Sequence, residues 1–225
     1  MRFDKLPSAF ATHPIFQLRC LFLFVVTLAI IISAPFTIDE NSQTDLGVAM
    51  VWVFLTGIGG WLITTSVKWL WSFGGCVLIS LIAALSAGES LTSRVMEQVT
   101  IILVLALTIF VILRYALAGQ NVHPIDRVIA AICGYLVTAQ LWARFYIIAL
   151  EVSPGSIVEA ASREPITHLD ALYFSLVTLS TQGFGDILAV TKEVRILAAL
   201  EGIFGVLYLA VLIATLVAEI RSTRD

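Results

Sequence analysis

The residue types with the clearest chemical meaning form one short run, Thr-Gln-Gly-Phe-Gly-Asp at positions 181–186. Glycines at alternate positions, Gly183 and Gly185, let the backbone adopt conformations that side chains forbid. Successive backbone carbonyl oxygens can then point to one side, where they replace the water shell of a dehydrated cation. The run therefore predicts a row of backbone oxygen ligands for a cation, set between two apolar segments of the chain.

The composition places this chemistry in a membrane. Of the 225 residues 59% are hydrophobic and 13% are charged, whereas soluble domains carry about 25% charged residues. We therefore expect an integral membrane protein whose surroundings are the lipid bilayer. The net charge of −3 provides no basic surface for nucleic acid. The three histidines are scattered and the three cysteines lack metal-ligand spacing, so neither an enzyme nor a bound cofactor is expected.

Six apolar stretches are long enough to cross a bilayer as helices, which takes about 20 residues each. They lie at 18–38, 47–66, 69–88, 97–117, 126–150 and 194–219. Each must be helical, because lipid offers no partner to an unpaired backbone amide. A further apolar segment, Leu169 to Ser180, is too short to span and lies within the acidic region 151–193. It predicts a re-entrant helix that enters from outside and presents the partial negative charge of its C-terminal end to a buried cation.

The distribution of positive charge predicts the orientation, because loops rich in Lys and Arg stay on the cytoplasmic side. Basic residues flank alternate connections and both ends of the chain: Arg2, Lys5, Arg19, Lys68, Arg114, Arg127, Arg221 and Arg224. With six spans both termini are cytoplasmic, in a multi-pass protein of a cell membrane, either a plasma membrane or a bacterial inner membrane. An alternative makes residues 1–34 a cleaved signal peptide, which would leave an odd number of spans.

The segment from Asp170 to Asp186 resembles the pore helix and selectivity filter of tetrameric potassium channels, and Glu201 to Val217 resembles the inner helix of their small prokaryotic members. The resemblance covers residues 126–220, and it is specific because these three parts occur in the right order and at the right lengths. It implies an all-α membrane protein of six transmembrane helices with a re-entrant pore helix and filter loop, assembled as a homotetramer.

The same resemblance assigns parts to the chain. Residues 1–124 would form a four-helix peripheral domain and 125–225 the pore domain. Arg114 is the only arginine within the predicted fourth span, so this domain is not expected to be a typical voltage sensor. The permeant ion, K+, would bind the backbone carbonyls of Thr181, Gln182, Gly183 and Phe184. Gly185 and Asp186 would support the filter from its outer end.

Two residues depart from the common pattern of the family and leave alternatives open. Phe184 stands where tyrosine is usual, so it cannot donate the hydroxyl hydrogen bond that braces the filter. Gln182 replaces a β-branched apolar residue and is expected to point into the packing behind the filter, where an unpaired amide costs roughly 1–3 kcal/mol. Paired, it would brace the filter. Unpaired, it would favour a poorly selective monovalent cation channel over a potassium-selective one, and a non-conducting membrane scaffold or a transporter is the third alternative.

Two charged residues fall within predicted spans. Arg144 and Glu201 both lie roughly 9–11 Å below the outer surface at a rise of about 1.5 Å per residue, and charges at that depth are usually paired. We therefore expect them to share a network behind the filter that could include Gln182. The alternative is that Arg144 extends to the interface while Glu201 faces water. Nearby, Gly202 and Gly205 predict either flexible points or close helix packing.

Overall fold

Helices make up most of this chain. The computed structural model describes residues 19–37, 74–75, 90–118 and 124–222. Its helices are α1 (Arg19–Thr37), α2 (Leu91–Ala118), α3 (Pro124–Val152), α4 (His168–Leu179) and α5 (Lys192–Ser222). Two short strands accompany them, β1 (Ile157–Glu159) and β2 (Ile187–Ala189). The predicted spans at 47–66 and 69–88 lie outside the described residues, apart from the helical pair Gly74 and Gly75.

Within the described ranges, three helices are long and apolar enough to cross a membrane. They are Leu91–Leu117, Asp126–Val152 and Lys192–Thr215. α1 contributes a shorter apolar stretch, Cys20–Ser33. These four segments coincide with predicted spans, and α4 coincides with the predicted re-entrant segment to within one residue at each end. The described residues are mainly helical and include three candidate membrane spans, which is consistent with the predicted all-α membrane protein.

α3 packs against α1 and α2 on one face and against α4 on the other. One face buries an apolar cluster against α1 and α2 that includes Leu23, Val104 and Val137. At the start of α3, the Asp126 carboxylate accepts hydrogen bonds from the Tyr115 hydroxyl at 2.6 Å and from the Cys20 amide at 3.3 Å. A carboxylate in the first turn of a helix is favourable because the helix dipole is positive there. Asp126 therefore joins three helices at one point.

The other face of α3 holds the re-entrant helix. A second apolar cluster forms there between residues of α3, α4 and the neighbouring segments: Tyr146, Ile147, Leu150, Ile157, Ile166, Ala171, Phe174 and Val194. α4 begins with a capping box, in which the Thr167 hydroxyl accepts from the Asp170 amide and the Asp170 carboxylate accepts from the Thr167 amide. This exchange satisfies backbone donors that would otherwise be unpaired at the helix start, and it defines where α4 begins.

A two-stranded antiparallel sheet, which an all-α prediction does not contain, links the loops on either side of α4. β1 pairs with β2 so that Ile157 lies opposite Ala189 and Glu159 lies opposite Ile187. Next to the sheet, the Ala160 amide donates to the Asp186 carbonyl at 2.7 Å. Strands of three residues are too short for a readable alternation of apolar and polar residues, which is why the sequence pattern did not reveal them.

α5 packs against the rest of the chain over a small part of its surface. Only 11% of its most apolar stretch is buried, against 50% for α3. The tightest approach is at Gly205, where an added Cβ would overlap the backbone carbonyl of Leu179 at the end of α4. At Gly202 an added Cβ would lie at an ordinary 3.7 Å from the Thr178 carbonyl oxygen. Of the two alternatives for these glycines, the geometry at Gly205 favours close packing.

Gly205→Ala is expected to destabilise the fold by about 1–3 kcal/mol, because the new methyl group forces α5 away from the end of α4. Gly202→Ala is the matched control, since its methyl group has room and alanine favours helix by up to about 1 kcal/mol over glycine. Thermal unfolding of the purified protein in detergent measures both effects. Equal unfolding temperatures for the two variants would contradict the close approach at Gly205.

Candidate functional site

The run at 181–186 begins where α4 ends, and its backbone amides turn back onto that helix. The Thr181 amide donates to the Thr178 carbonyl at 2.9 Å, and the amides of Gln182 and Gly183 donate to the Val177 carbonyl at 2.9 and 3.5 Å. In the described part of the chain, no donor reaches the carbonyl oxygens of residues 181–184. We call these four oxygens the carbonyl row. The first three residues of the row have paired amides, and all four carbonyl oxygens lack a donor, which leaves these oxygens available to a cation.

The backbone along the row alternates in handedness. The φ angles of Thr181, Gly183 and Gly185 are 58°, 53° and 78°, whereas Gln182 and Phe184 between them keep negative φ. In an ordinary extended strand successive carbonyls point to opposite sides, and reversing the sign of φ at every second residue lets neighbours share a side. Glycine adopts positive φ readily, but a β-branched residue such as Thr181 rarely does. Such a backbone outlier motivates a functional hypothesis for the residues that carry it.

In the single chain the row is open to its surroundings. All residues from Thr181 to Asp186 are exposed, and Phe184 retains 66% of its accessible surface. Beneath the row runs a groove of about 530 Å³ between the end of α4 and α5. It is lined by Thr178, Thr181, Gly183, Ala198, Ala199, Gly202, Ile203, Val206 and Leu207. The row and the apolar face of α5 therefore belong to one continuous wall.

The outer end of the run is braced by a residue that the sequence reasoning missed. The Tyr173 hydroxyl on α4 donates to the Asp186 carboxylate at 2.6 Å, and the Ile187 amide donates to the other oxygen at 3.1 Å. The hydrogen bond from Tyr173 lowers the pKa of the Asp186 carboxyl below its ordinary value. Tyr173 thus joins α4 to the last residue of the run. The only sequence signal for it is a tyrosine on the re-entrant helix 13 residues before the aspartate.

Of the two alternatives for Gln182, paired or unpaired, the single chain shows the unpaired one. Its side chain is exposed rather than packed behind the row, and within the described residues its amide group makes no hydrogen bond to another side chain or to the backbone. Only its backbone amide is engaged, with Val177. The side-chain hydrogen bond that the structure shows at the run is instead the one from Tyr173 to Asp186.

The structure does not bring Arg144 and Glu201 together, so two separate contacts replace the shared network. Arg144 donates to the Gln98 amide oxygen on α2 at 3.3 Å and interacts electrostatically with Glu97. Glu201 instead faces α3 and α4, accepts from the Tyr146 hydroxyl, and is fully buried. The two side chains leave their helices toward different neighbours. The alternative in which Glu201 faces water is not observed either.

The remaining ligand chemistry near the site is limited. Among the residues that the structure describes, no group of three or more His, Cys, Asp or Glu side chains could hold a metal ion. The acceptors available to a cation along the run are therefore the backbone oxygens, with Asp186 at one end.

Residues 130–222 match the sequence family described as ion channel. This part of the chain is therefore similar to ion channels. It begins within α3, ends with α5, and contains both α4 and the carbonyl row, although it spans somewhat under half of the 225 residues. No curated protein and no solved structure matches the chain.

Tyr173→Phe is expected to raise the pKa of Asp186 toward its ordinary value, since it removes the donor that favours the charged form. In the wild type the contribution of this hydrogen bond is complete at neutral pH and is lost as the pH falls through the lowered pKa of Asp186. The titration is measured by NMR on protein with isotope-labelled aspartate.

Tyr115→Phe is the matched control, because Tyr115 donates in the same way to Asp126 and not to Asp186. An Asp186 titration that stays unchanged in Tyr173→Phe would show that the hydroxyl does not brace the outer end of the run.

Proposed function

We propose that this chain forms a potassium-selective channel, in which K+ passes through a pore lined by the carbonyl row of four copies. The observation that carries the proposal is the alternation of positive φ at Thr181, Gly183 and Gly185 in a run whose carbonyl oxygens are free. The function is passive conduction without catalysis. K+ is the permeant ion and no other cofactor takes part.

Neutral carbonyl oxygens favour a monovalent cation on physical grounds. Each K+ that enters must exchange its hydration water for protein oxygens, and the carbonyl dipoles supply that coordination without a full negative charge that would trap the ion. Two features add a weaker attraction. α4, at 12 residues, directs the partial negative charge of its C-terminal end toward the row, and the ionised Asp186 raises the local concentration of cations at the outer end.

Assembly from several copies follows from what one chain leaves uncovered. A single row on an open wall cannot enclose an ion, and irregular backbone within a membrane persists only where protein or a water-filled path surrounds it. The large exposed apolar residues on α5 point to further protein or lipid around it: Ile196, Leu200, Ile203, Phe204, Val206, Leu207, Leu209, Val211 and Ile213. Rotational symmetry would repeat the same wall around an axis, and the resemblance to tetrameric channels makes the number four.

The proposed setting is a cell membrane crossed six times, with both termini in the cytoplasm as the basic connections predict. Residues 1–124 would surround the pore domain without acting as a voltage sensor. Within α2 the arginines are Arg94 and Arg114, and Arg94 is paired with Glu151 on α3 at 3.0 Å. A moving voltage sensor requires several arginines at regular spacing, which α2 does not provide.

The proposal is tested by the reversal potential of the purified protein in planar bilayers under opposing K+ and Na+ gradients. Potassium selectivity places the reversal potential near the K+ equilibrium value. A value near zero would instead establish the poorly selective cation channel, and the absence of any current would favour the scaffold or transporter.

Gly183→Ala is expected to reduce the preference for K+ over Na+ roughly tenfold or more. Alanine at positive φ is strained by about 1–2 kcal/mol, and at this position the backbone would relax by rotating a carbonyl out of the row. Gly155→Ala is the matched control. Gly155 has φ of 85° against 53° for Gly183, and an added Cβ meets nothing within 4 Å at either position.

Both variants therefore carry a similar local strain, but Gly155 lies in the turn before β1, away from the row. Reversal potentials of the two variants are compared with that of the wild type. Unchanged selectivity in Gly183→Ala, or an equal loss of selectivity in Gly155→Ala, would contradict the proposal that the geometry of the row determines which ion is selected.

A further inference from the structure

A fully buried carboxyl group lies where three helices meet. Glu201, on α5, has no accessible surface. One of its oxygens accepts from the Tyr146 hydroxyl on α3, and the other lies 2.5 Å from the Ser175 hydroxyl oxygen on α4. Charged residues at this depth in a membrane protein are uncommon and need a partner. The nature of the partners here decides whether Glu201 carries a charge.

The number of protons available at Ser175 distinguishes an ionised Glu201 from a neutral one. The Ser175 oxygen lies 2.7 Å from the Ala139 carbonyl oxygen on α3 as well as 2.5 Å from the Glu201 carboxyl. A hydroxyl has one proton to donate, and a carbonyl oxygen can only accept. If Ser175 donates to Ala139, the short contact with Glu201 requires that the proton between them belong to the carboxyl group. If Ser175 donates to Glu201, its contact with Ala139 brings two acceptors together without a proton.

The charge balance favours the first arrangement. Among the described residues no Lys, Arg or His forms an ion pair with Glu201. The ion pair between Arg94 and Glu151 joins α2 to α3 and does not involve Glu201. The titratable groups that face Glu201 are phenols of α3, Tyr146 through its hydrogen bond and Tyr135 through a longer-range interaction. A buried carboxylate held by two hydroxyls and no cation costs far more than a neutral acid with the same neighbours.

We infer that Glu201 is held as a neutral carboxylic acid that donates its proton to Ser175. The hydrogen bonds then run in one direction, from Tyr146 to Glu201, from Glu201 to Ser175, and from Ser175 to Ala139. We call this chain the carboxyl clamp. It joins α3, α4 and α5 without any net charge, so it needs no cation inside the membrane.

The clamp fixes the rotation of the helix that carries the carbonyl row. Ser175 lies in the middle of α4, and the row follows directly from the C-terminal end of that helix. Rotation of α4 about its axis would turn the row with it. Glu201 is therefore a positioning residue for ion selection, and this consequence rests on the proposed function, whereas the protonation state does not.

Glu201→Gln is the decisive substitution, because glutamine keeps the shape and the hydrogen-bond pattern of a neutral acid. Its amide nitrogen donates to Ser175 and its amide oxygen accepts from Tyr146. We expect E201Q to unfold at the wild-type temperature and to keep the wild-type reversal potential. E201A, which removes the clamp, is expected to unfold at least about 4 °C lower and to lose K+ selectivity.

Infrared difference spectroscopy reads the protonation state directly. Wild-type protein at neutral pH, with isotope-labelled glutamate, is expected to show the carbonyl absorption of a protonated carboxyl group that is missing from E201Q. The inference would be overturned if the absorption present in the wild type and missing from E201Q were that of a carboxylate. Unfolding of E201Q at the same lowered temperature as E201A would also overturn it. If E201A does not fold, the spectrum and the stability of E201Q still decide.

These readouts also separate the two proposals. Unfolding and infrared measurements need no ion flow, so a wild-type protein that does not conduct would refute the channel and leave the clamp to be judged on its own spectrum. Conversely, a potassium-selective wild type whose Glu201 is ionised would refute the clamp alone.

Discussion

The backbone between α4 and β2 divides its hydrogen-bonding groups unequally. The amides of residues 181–183 donate to carbonyls at the end of α4, while the carbonyl oxygens of residues 181–184 receive no donor among the described residues. The row is exposed in the single chain, but in the proposed assembly protein would surround it, and enclosed backbone acceptors are normally paired, so a row left free there is costly unless something else binds to it. A permeant cation is that partner in the proposed function. Alternating handedness at Thr181, Gly183 and Gly185 makes the arrangement sterically possible.

The surrounding fold holds this strained segment from both ends. On its N-terminal side the segment follows α4, which begins at the capping box of Thr167 and Asp170, is joined to α3 and α5 by the carboxyl clamp, and is approached closely by α5 at Gly205. At the outer end, the sheet and the contact between Tyr173 and Asp186 fix the chain as it leaves the run. Each contact is modest, since one hydrogen bond contributes about 1 kcal/mol. Together they over-determine the segment, which is how unusual backbone conformations persist.

α3 connects this site to the peripheral helices. Its first turn carries Asp126, which holds α1 and the end of α2, and its later turns carry Ala139 and Tyr146, which contact Ser175 and Glu201. Arg144 lies between these two sets and faces Gln98 on α2.

The part of the fold that could be predicted depends on the length and position of segments along the chain. Helix positions at α1, α2, α3 and α5 followed from the length of apolar segments, because the bilayer sets a length of about 20 residues. The re-entrant helix followed from being shorter than that, and the unusual backbone of the run followed from alternate glycines. The depth of Arg144 and Glu201 could be estimated in the same way, from the rise per residue.

What the tertiary structure alone decided is the direction in which side chains leave their helices. Arg144 and Glu201 face α2 and α4, respectively, and Tyr173 rather than Gln182 reaches the outer end of the run. Position along a helix axis depends on the chain itself, whereas the facing neighbour depends on how several helices pack together. The strand pair was hidden for the same reason, since three-residue strands acquire their partners only once the fold brings two loops together.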